Sequence, residues 1–186
     1  MKIYIKNMVS IRCKIIVRAE LEKLGLHPLS IELGEVEIKE NISAQKLEQL
    51  NTALKTSELE LLDDKRSIIV EKIRRIIIEM VHYSDEHPKT NFSDYLCEIL
   101  DENYTTLSHL FSEVRGITIE HYMIAQKIEK AKELITYGEL TLSEIAFKLH
   151  YSSVAHLSAQ FKKTTGLTPT YFKNRKEKKR IPIGTL

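Results

Sequence analysis

The strongest constraint on this chain is an internal repeat. Set against itself at an offset of fifty residues, Leu107-Ser108-His109-Leu110-Phe111-Ser112-Glu113-Val114-Arg115-Gly116-Ile117-Thr118 aligns with Leu157-Ser158-Ala159-Gln160-Phe161-Lys162-Lys163-Thr164-Thr165-Gly166-Leu167-Thr168. Leu, Ser, Phe, Gly and Thr coincide. An amphipathic segment precedes each copy, Phe92 to Leu100 in the first and Leu142 to Leu149 in the second. Each half therefore reads as helix, short polar turn, helix, and the pattern occurs twice. Between the copies, Thr118 to Thr136 reads as one helix whose buried stripe is Tyr122, Ala125, Ile128, Ala131, Leu134 and Ile135.

The spacing has a physical meaning. A helix of about nineteen residues spans about 28 Å at 1.5 Å per residue. Successive major-groove faces of B-DNA lie ~34 Å apart. Charge points to the same partner. Residues 1–91 carry 15 basic and 15 acidic side chains, 92–140 carry 4 and 9, and 141–186 carry 9 and 2. The overall charge of +2 hides a basic end suited to a polyanion.

The first sixty residues follow a different rule. Lys2 to Asn7 alternates, with Ile3 and Ile5 on one face, and Leu29 to Lys39 alternates again around a Gly34-Glu35 hairpin turn. Ile11 to Leu24 has helical spacing and stops at Gly25, Ser43 opens a second helix through Leu54, and Leu59 to Leu62 is a short fourth strand. The order is β-α-β-β-α-β, a split βαβ arrangement. Lys65 to Tyr83 is a helix with one apolar face (Ile69, Ile73, Ile76, Ile77, Met80). It either docks on the first domain or forms the seam of a homodimer. The polar run Asp85 to Asn91, with Pro88, marks the boundary to the C-terminal half. The expected divisions are 1–64, a connecting helix and linker 65–91, a helical domain 92–173 and a basic tail 174–186.

At this point the residues resemble a known family. Leu142-Ser143-Glu144-Ile145-Ala146, then Tyr151-Ser152-Ser153, then Leu157 through Pro169 are similar to the second head of the double helix-turn-helix domain of AraC/XylS-type transcriptional regulators. Lys127 to Ile135 resembles that family's inter-domain helix. Lys127 stands where an arginine is usual, and His150 where glycine commonly begins the turn. The resemblance covers roughly Phe92 to Lys173 and implies sequence-specific binding of double-stranded DNA.

Leu157 and Phe161, one turn apart, must face a small core, so the opposite face of that helix presents Ala155, His156, Ala159, Lys162 and Lys163, with Ser158 at its edge. The resemblance puts base contacts near Val154, Ala155, Ser158 and Ala159, beside Ser153. Small and apolar readers favour thymine methyl groups, while Lys162 and Lys163 suit phosphates. By the same count the first head presents Thr105, Thr106, Ser108, His109 and Ser112, with Arg115 the one permanent cation on its helix, at the end. That head, among Asp101, Glu102 and Glu113, is expected to tune specificity while the second supplies affinity. The tail Lys173 to Arg180 is either a solvated end or a non-specific phosphate contact.

The loop Met8-Val9-Ser10-Ile11-Arg12-Cys13 is similar to the Met-x-Cys-x-x-Cys loop of heavy-metal-associated ferredoxin-like domains, with Ser10 in place of the first cysteine. Two thiolates suit a soft ion; Cys13 alone is a weak metal candidate. His82 and His87 are expected at the surface or in capping roles, and Cys97 as a small buried hydrophobe. No phosphate loop, nucleophile elbow or paired catalytic carboxylates occur.

The sequence therefore specifies an α+β chain: a small ferredoxin-like βαββαβ domain followed by an all-α double helix-turn-helix domain. It reads as a cytoplasmic, bacterial-type transcription regulator and not an enzyme, with no cofactor and no membrane partner. Double-stranded DNA is the expected partner, with RNA polymerase a second candidate and homodimerisation through the Lys65 to Tyr83 helix a third. The alternative is a metal- or ligand-sensing protein whose N-terminal domain controls protein–protein interaction.

Overall fold

Alternation builds the N-terminal half. The computed structural model describes residues 1–84 and 90–174. In it β1 (Lys2–Lys6) sends Ile3 and Ile5 into the core, and β3 (Glu35–Ile38) sends Val36 and Ile38. All pairings are antiparallel: β1 with β3, Ile3 opposite Val36; β1 with β4 (Glu60–Leu62), Ile5 opposite Leu61; β2 (Pro28–Glu32) with β3. The sheet order is β2-β3-β1-β4. Val17 and Leu21 of α1 (Ile11–Lys23) and Leu50 and Leu54 of α2 (Ala44–Lys55) close the core over one face. The six elements follow the order expected from the sequence.

Gly34 makes the β2–β3 turn at φ 76°, a left-handed conformation that a side chain would strain. Ser10, Ser43 and Asp64 cap α1, α2 and α3 (Lys65–Ile78), each accepting from the backbone N–H three residues on.

Helix α3 runs on into a single π-helical turn, Glu79–Tyr83, closed by the Ser84 N–H donating to Glu79 O at 2.9 Å. Its apolar stripe, Val70, Ile73, Ile76, Ile77, Met80 and Val81, packs with Leu96, Leu107, Phe111, Ile119 and Tyr122. Those partners come from α4 (Phe92–Leu100), α5 (Tyr104–Arg115) and α6 (Ile119–Tyr137). Of the two roles expected for the Lys65 to Tyr83 helix, docking on the first domain is made by its charged side and not by its apolar stripe. Its stripe is neither laid on the sheet nor left as a homodimer seam, because the first helical core of the same chain covers it.

The charged side of α3 meets the sheet instead. The Asn7 N–H donates to Glu71 Oε1 at 3.1 Å, Arg74 donates to Glu71 at 2.7 Å and to Asn7 Oδ1 at 3.3 Å, and Arg75 donates to Leu33 O at 3.3 Å.

A separate core joins Ile128, Ala131 and Ile135 of α6 to Ile145, Leu157, Phe161 and Phe172 of α7 (Leu142–Lys148), α8 (Val154–Thr165) and α9 (Pro169–Asn174). One nineteen-residue helix, α6, thus supplies both cores. Most of the expected boundary segment, 85–89, and the basic tail from 175 onward lie outside the described residues. Among the described residues no helix is long and apolar enough to cross a membrane.

Candidate nucleic-acid interface

The repeat read in the sequence is reproduced side chain by side chain. Asn103 and Ser153 cap α5 and α8, accepting from the backbone N–H of Thr106 at 2.8 Å and of His156 at 3.1 Å. Leu107 and Phe111 in one helix, and Leu157 and Phe161 in the other, are fully buried. Both helices end on a left-handed glycine, Gly116 at φ 72° and Gly166 at φ 77°. The next helix then places Tyr122 against Phe111 at a ring separation of 5.6 Å, and Phe172 against Phe161 at 5.5 Å. Each head is a first helix, a turn and a second helix clamped by one aromatic pair.

The turns differ in how they are made. Asp101 turns the first at φ 51° and His150 the second at φ 55°. His150, where glycine is usual in the family the sequence resembles, takes the conformation that glycine would take, at a strain of about 1 kcal/mol. Burial and the charge of Lys127 hold its imidazole below the usual pKa. Lys127, in place of an arginine, lies 5.5 Å from the Tyr151 ring centre, and burial lowers its pKa. Burial also pushes the Tyr151 hydroxyl up to about 12. Helix α7 opens on a capping box between Thr141 and Glu144.

The side chains expected to read DNA fall into three groups. Thr105, Thr106 and His109 on α5, and Ala155, His156, Ala159, Lys162 and Lys163 on α8, are exposed. Ser108, Ser112 and Ser158 are half-buried at the edges of those faces. Ser153 is occupied as a cap, and Val154 is half-buried and packs against the second core. The Thr106 hydroxyl donates to Asn103 Oδ1 at 3.0 Å, so its oxygen also serves the cap. His156 shares a hydrogen bond of 3.1 Å with Ser152 Oγ and stands edge-on to Tyr151 at 5.2 Å.

Electrostatics separates the heads further. Lys162 and Lys163 lie in the last turn of α8, in solvent. Arg115, expected as the permanent cation of the first head, is half-buried and turned toward Arg74, Glu71 and Tyr122; burial and the like charge of Arg74 lower its pKa. The cation that does stand beside α5 is Arg66 of α3, which pairs with Glu113; His109 Nδ1 is 3.8 Å from the same carboxylate. Nothing local announces the Arg66–Glu113 pair, because the two residues are 47 positions apart. His82, expected at the surface or in a cap, is half-buried and shares a 2.9 Å hydrogen bond with the buried Gln126.

The loop around Cys13 is knitted into the fold. Met8 is buried, Ser10 caps α1, and its hydroxyl lies 3.3 Å from Cys13 Sγ. Among the described residues no group of three or more His, Cys, Asp and Glu side chains gathers around a common point. Cys13 and Cys97 are both free and half-buried.

Comparison with known proteins is consistent with this geometry. The model of a helix-turn-helix domain family matches residues 96–175. The chain is 26% identical over 160 residues to the "Uncharacterized HTH-type transcriptional regulator YtdP" of Bacillus subtilis (strain 168), covering 81% of this chain and 20% of that protein. It is 28% identical over 150 residues to the "Probable transcriptional regulator LumQ" of Photobacterium leiognathi, covering 76% of this chain and 57% of that one. Among solved structures, it resembles the C-terminal domain of AraT, a response regulator from Geobacillus stearothermophilus, with a TM-score of 0.52 and 27% identity over 64% of this chain and 92% of that domain. The chain spans less than two thirds of the length of these two curated relatives. The family match and the likeness to the C-terminal domain of AraT fall on the same helical half of the chain.

Proposed function

We propose that the chain binds double-stranded DNA sequence-specifically and regulates transcription, with α5 and α8 entering adjacent major grooves from the ends of the α6 strut. The observation that carries this reading is the exposed face of α8, where Ala155, His156 and Ala159 stand above Lys162 and Lys163. Small side chains let the helix seat deeply and contact thymine methyl groups, and the two lysines neutralise phosphates. The first head offers Thr105, Ser108, His109 and Ser112 but no exposed lysine or arginine from α5 itself. It refines site choice while the second head supplies most of the affinity.

The N-terminal unit is read as ferredoxin-like, which the sheet order β2-β3-β1-β4 supports. It acts as a sensory or structural module, and the protein works where the chromosome is, in the cytoplasm. No step of catalysis is assigned to it.

Selection of bound sequences from a random DNA pool tests the reading. Enrichment of one motif is expected, and no enrichment overturns it. In the Lys162→Ala/Lys163→Ala variant the slope of log affinity against log salt is expected to fall by about 1.8, from two lost phosphate contacts at ~0.9 each. An unchanged slope, with binding abolished by His109→Ala, would reverse the division of labour.

A further inference from the structure

An apolar groove of about 250 Å³ opens between the N-terminal unit and the π turn. Ile11 and Lys14 line it from α1, Leu33 from the β2–β3 turn, and Glu79 and Tyr83 from the π turn. Ile11 is 67% and Tyr83 50% exposed, so two large apolar side chains are left to solvent at one place. Apolar surface gathered in a concavity marks a binding groove, where single scattered residues would not.

The charged groups around the groove are not equally engaged. Lys14, the cation of the wall, is held by Glu32 at 2.7 Å. Arg75, the other cation near Glu79, donates to Leu33 O at 3.3 Å and lies 3.8 Å from Glu35. Among the described residues neither of them nor any other side chain pairs with Glu79, which is half-buried. Burial raises its pKa, as expected of a carboxyl that has given up water without gaining a donor. Tyr83 is fixed in place, because its hydroxyl donates to Val9 O at 2.9 Å. An aromatic ring, aliphatic walls and an unmet carboxylate in one groove are complementary to a cation with an apolar body. The ring and the carboxylate attract the charge, and the walls take the hydrocarbon.

We infer that this groove binds a small organic ammonium ion, an alkyl- or arylalkylamine in its protonated form, with the ammonium on Glu79 and the hydrocarbon body against Ile11, Leu33 and Tyr83. Its volume falls just under the ~300–1,000 Å³ of sites for drug-sized ligands, which sets the occupant at a chain of about six carbons or a single ring. A bare metal ion would gain nothing from the apolar wall, and a carboxylate or phosphate would meet the charge of Glu79.

The position gives the site a route to the heads. The π turn also carries His82, which shares a 2.9 Å hydrogen bond with Gln126, buried in α6. An occupant between α1, the β2–β3 turn and the π turn therefore bears on the helix that joins both helical cores. Binding itself stands apart from DNA recognition; this regulatory consequence rests on the proposed function.

Calorimetric titration of the full chain with phenethylammonium chloride, with hexylammonium chloride and with the neutral isostere phenethyl alcohol tests the site at constant ionic strength. One ammonium ion per chain at a Kd of about 1 mM or tighter is expected for at least one of the two, with the alcohol binding at least tenfold more weakly than phenethylammonium. Glu79→Gln keeps the shape and removes the charge; it is expected to lower ammonium affinity at least tenfold and to leave that of the alcohol unchanged. Ile11→Ser, at a side chain already in solvent, is expected to weaken all three. Failure of both ammonium ions to bind overturns the site. So does alcohol binding as tight as ammonium binding, or ammonium binding indifferent to Glu79→Gln. Sedimentation of the parent and of Ile11→Ser addresses the competing occupant: a parent dimer that Ile11→Ser returns to monomer would assign the groove to a second copy and overturn the inference. A mobility shift with phenethylammonium, compared between the parent and Glu79→Gln, reads the regulatory consequence: an ammonium-dependent change in DNA affinity is expected only in the parent. A chain that binds the ammonium but no DNA would refute the proposed function and leave the site standing.

Discussion

Glu79 opens the π turn after α3, half-buried between the sheet domain and the helical body. Burial raises its carboxyl pKa and the charge of Glu32 adds to that, while Arg75 and Lys14 pull the other way. A carboxyl with a raised pKa holds its proton more tightly in the folded chain than in the unfolded one. Its favourable contribution is therefore complete below the unfolded pKa of about 4.3 and is lost as pH rises through the folded value. Glu79→Gln, which cannot ionise, is expected to raise the urea midpoint at pH 7 and to lose that advantage below about pH 4. Equal midpoints at both pH values would show that the site is not desolvated. Legibility at this scale follows the same line between local and distant causes. The cap at Ser43 and the odd residues His150 and Lys127 could be read from their neighbours in the chain. Arg66 beside Glu113, and Arg115 turned inward to Arg74, could not, because each partner is set by a packing angle that no local pattern encodes.

Among elements, α6 has one end in each helical core, with Ile119 and Tyr122 in the first and Ile128, Ala131 and Ile135 in the second. The cores share a helix but no buried side chain. Phe161→Ala removes the ring that Phe172 packs on and is expected to cost about 3–5 kcal/mol within the second core. Hydrogen exchange should show α7, α8 and α9 losing protection while α4 and α5 keep most of theirs. Equal loss across both heads would mean that α6 transmits the damage as a rigid unit. Helix positions were largely readable here: the repeat located α5 and α8, and the apolar stripe of α3 showed that it must be covered. What covers it was not readable, since a stripe states that a face is buried and leaves its partner open. The polar segment before Asn91 suggested a division between α3 and the helices that follow, yet α3 packs against them.

For the molecule as a whole, α3 belongs by packing to the helical body and by hydrogen bonding to the sheet. We propose that the domain boundary therefore falls before Lys65, not after Tyr83. A fragment of residues 65–174 is expected to fold cooperatively. A fragment of 92–174 leaves Leu96, Leu107, Phe111 and Tyr122 without the side chains of α3 and is expected to show disordered first-head amides in NMR spectra, with the second head intact. Equal stability of the two fragments would return the boundary to the segment at 85–91.

The placement of α3 also has a consequence during synthesis. The sheet domain can close as soon as β4 has left the ribosome, but Ile73, Ile76 and Ile77 then wait for Leu107, Phe111 and Tyr122, about forty residues further along. At ~5–20 residues per second the stripe stays uncovered for roughly two to eight seconds. A nascent chain whose emerged part ends near residue 90 would present a folded sheet domain and an apolar tail, the form in which this protein is most exposed to chaperone capture and to aggregation.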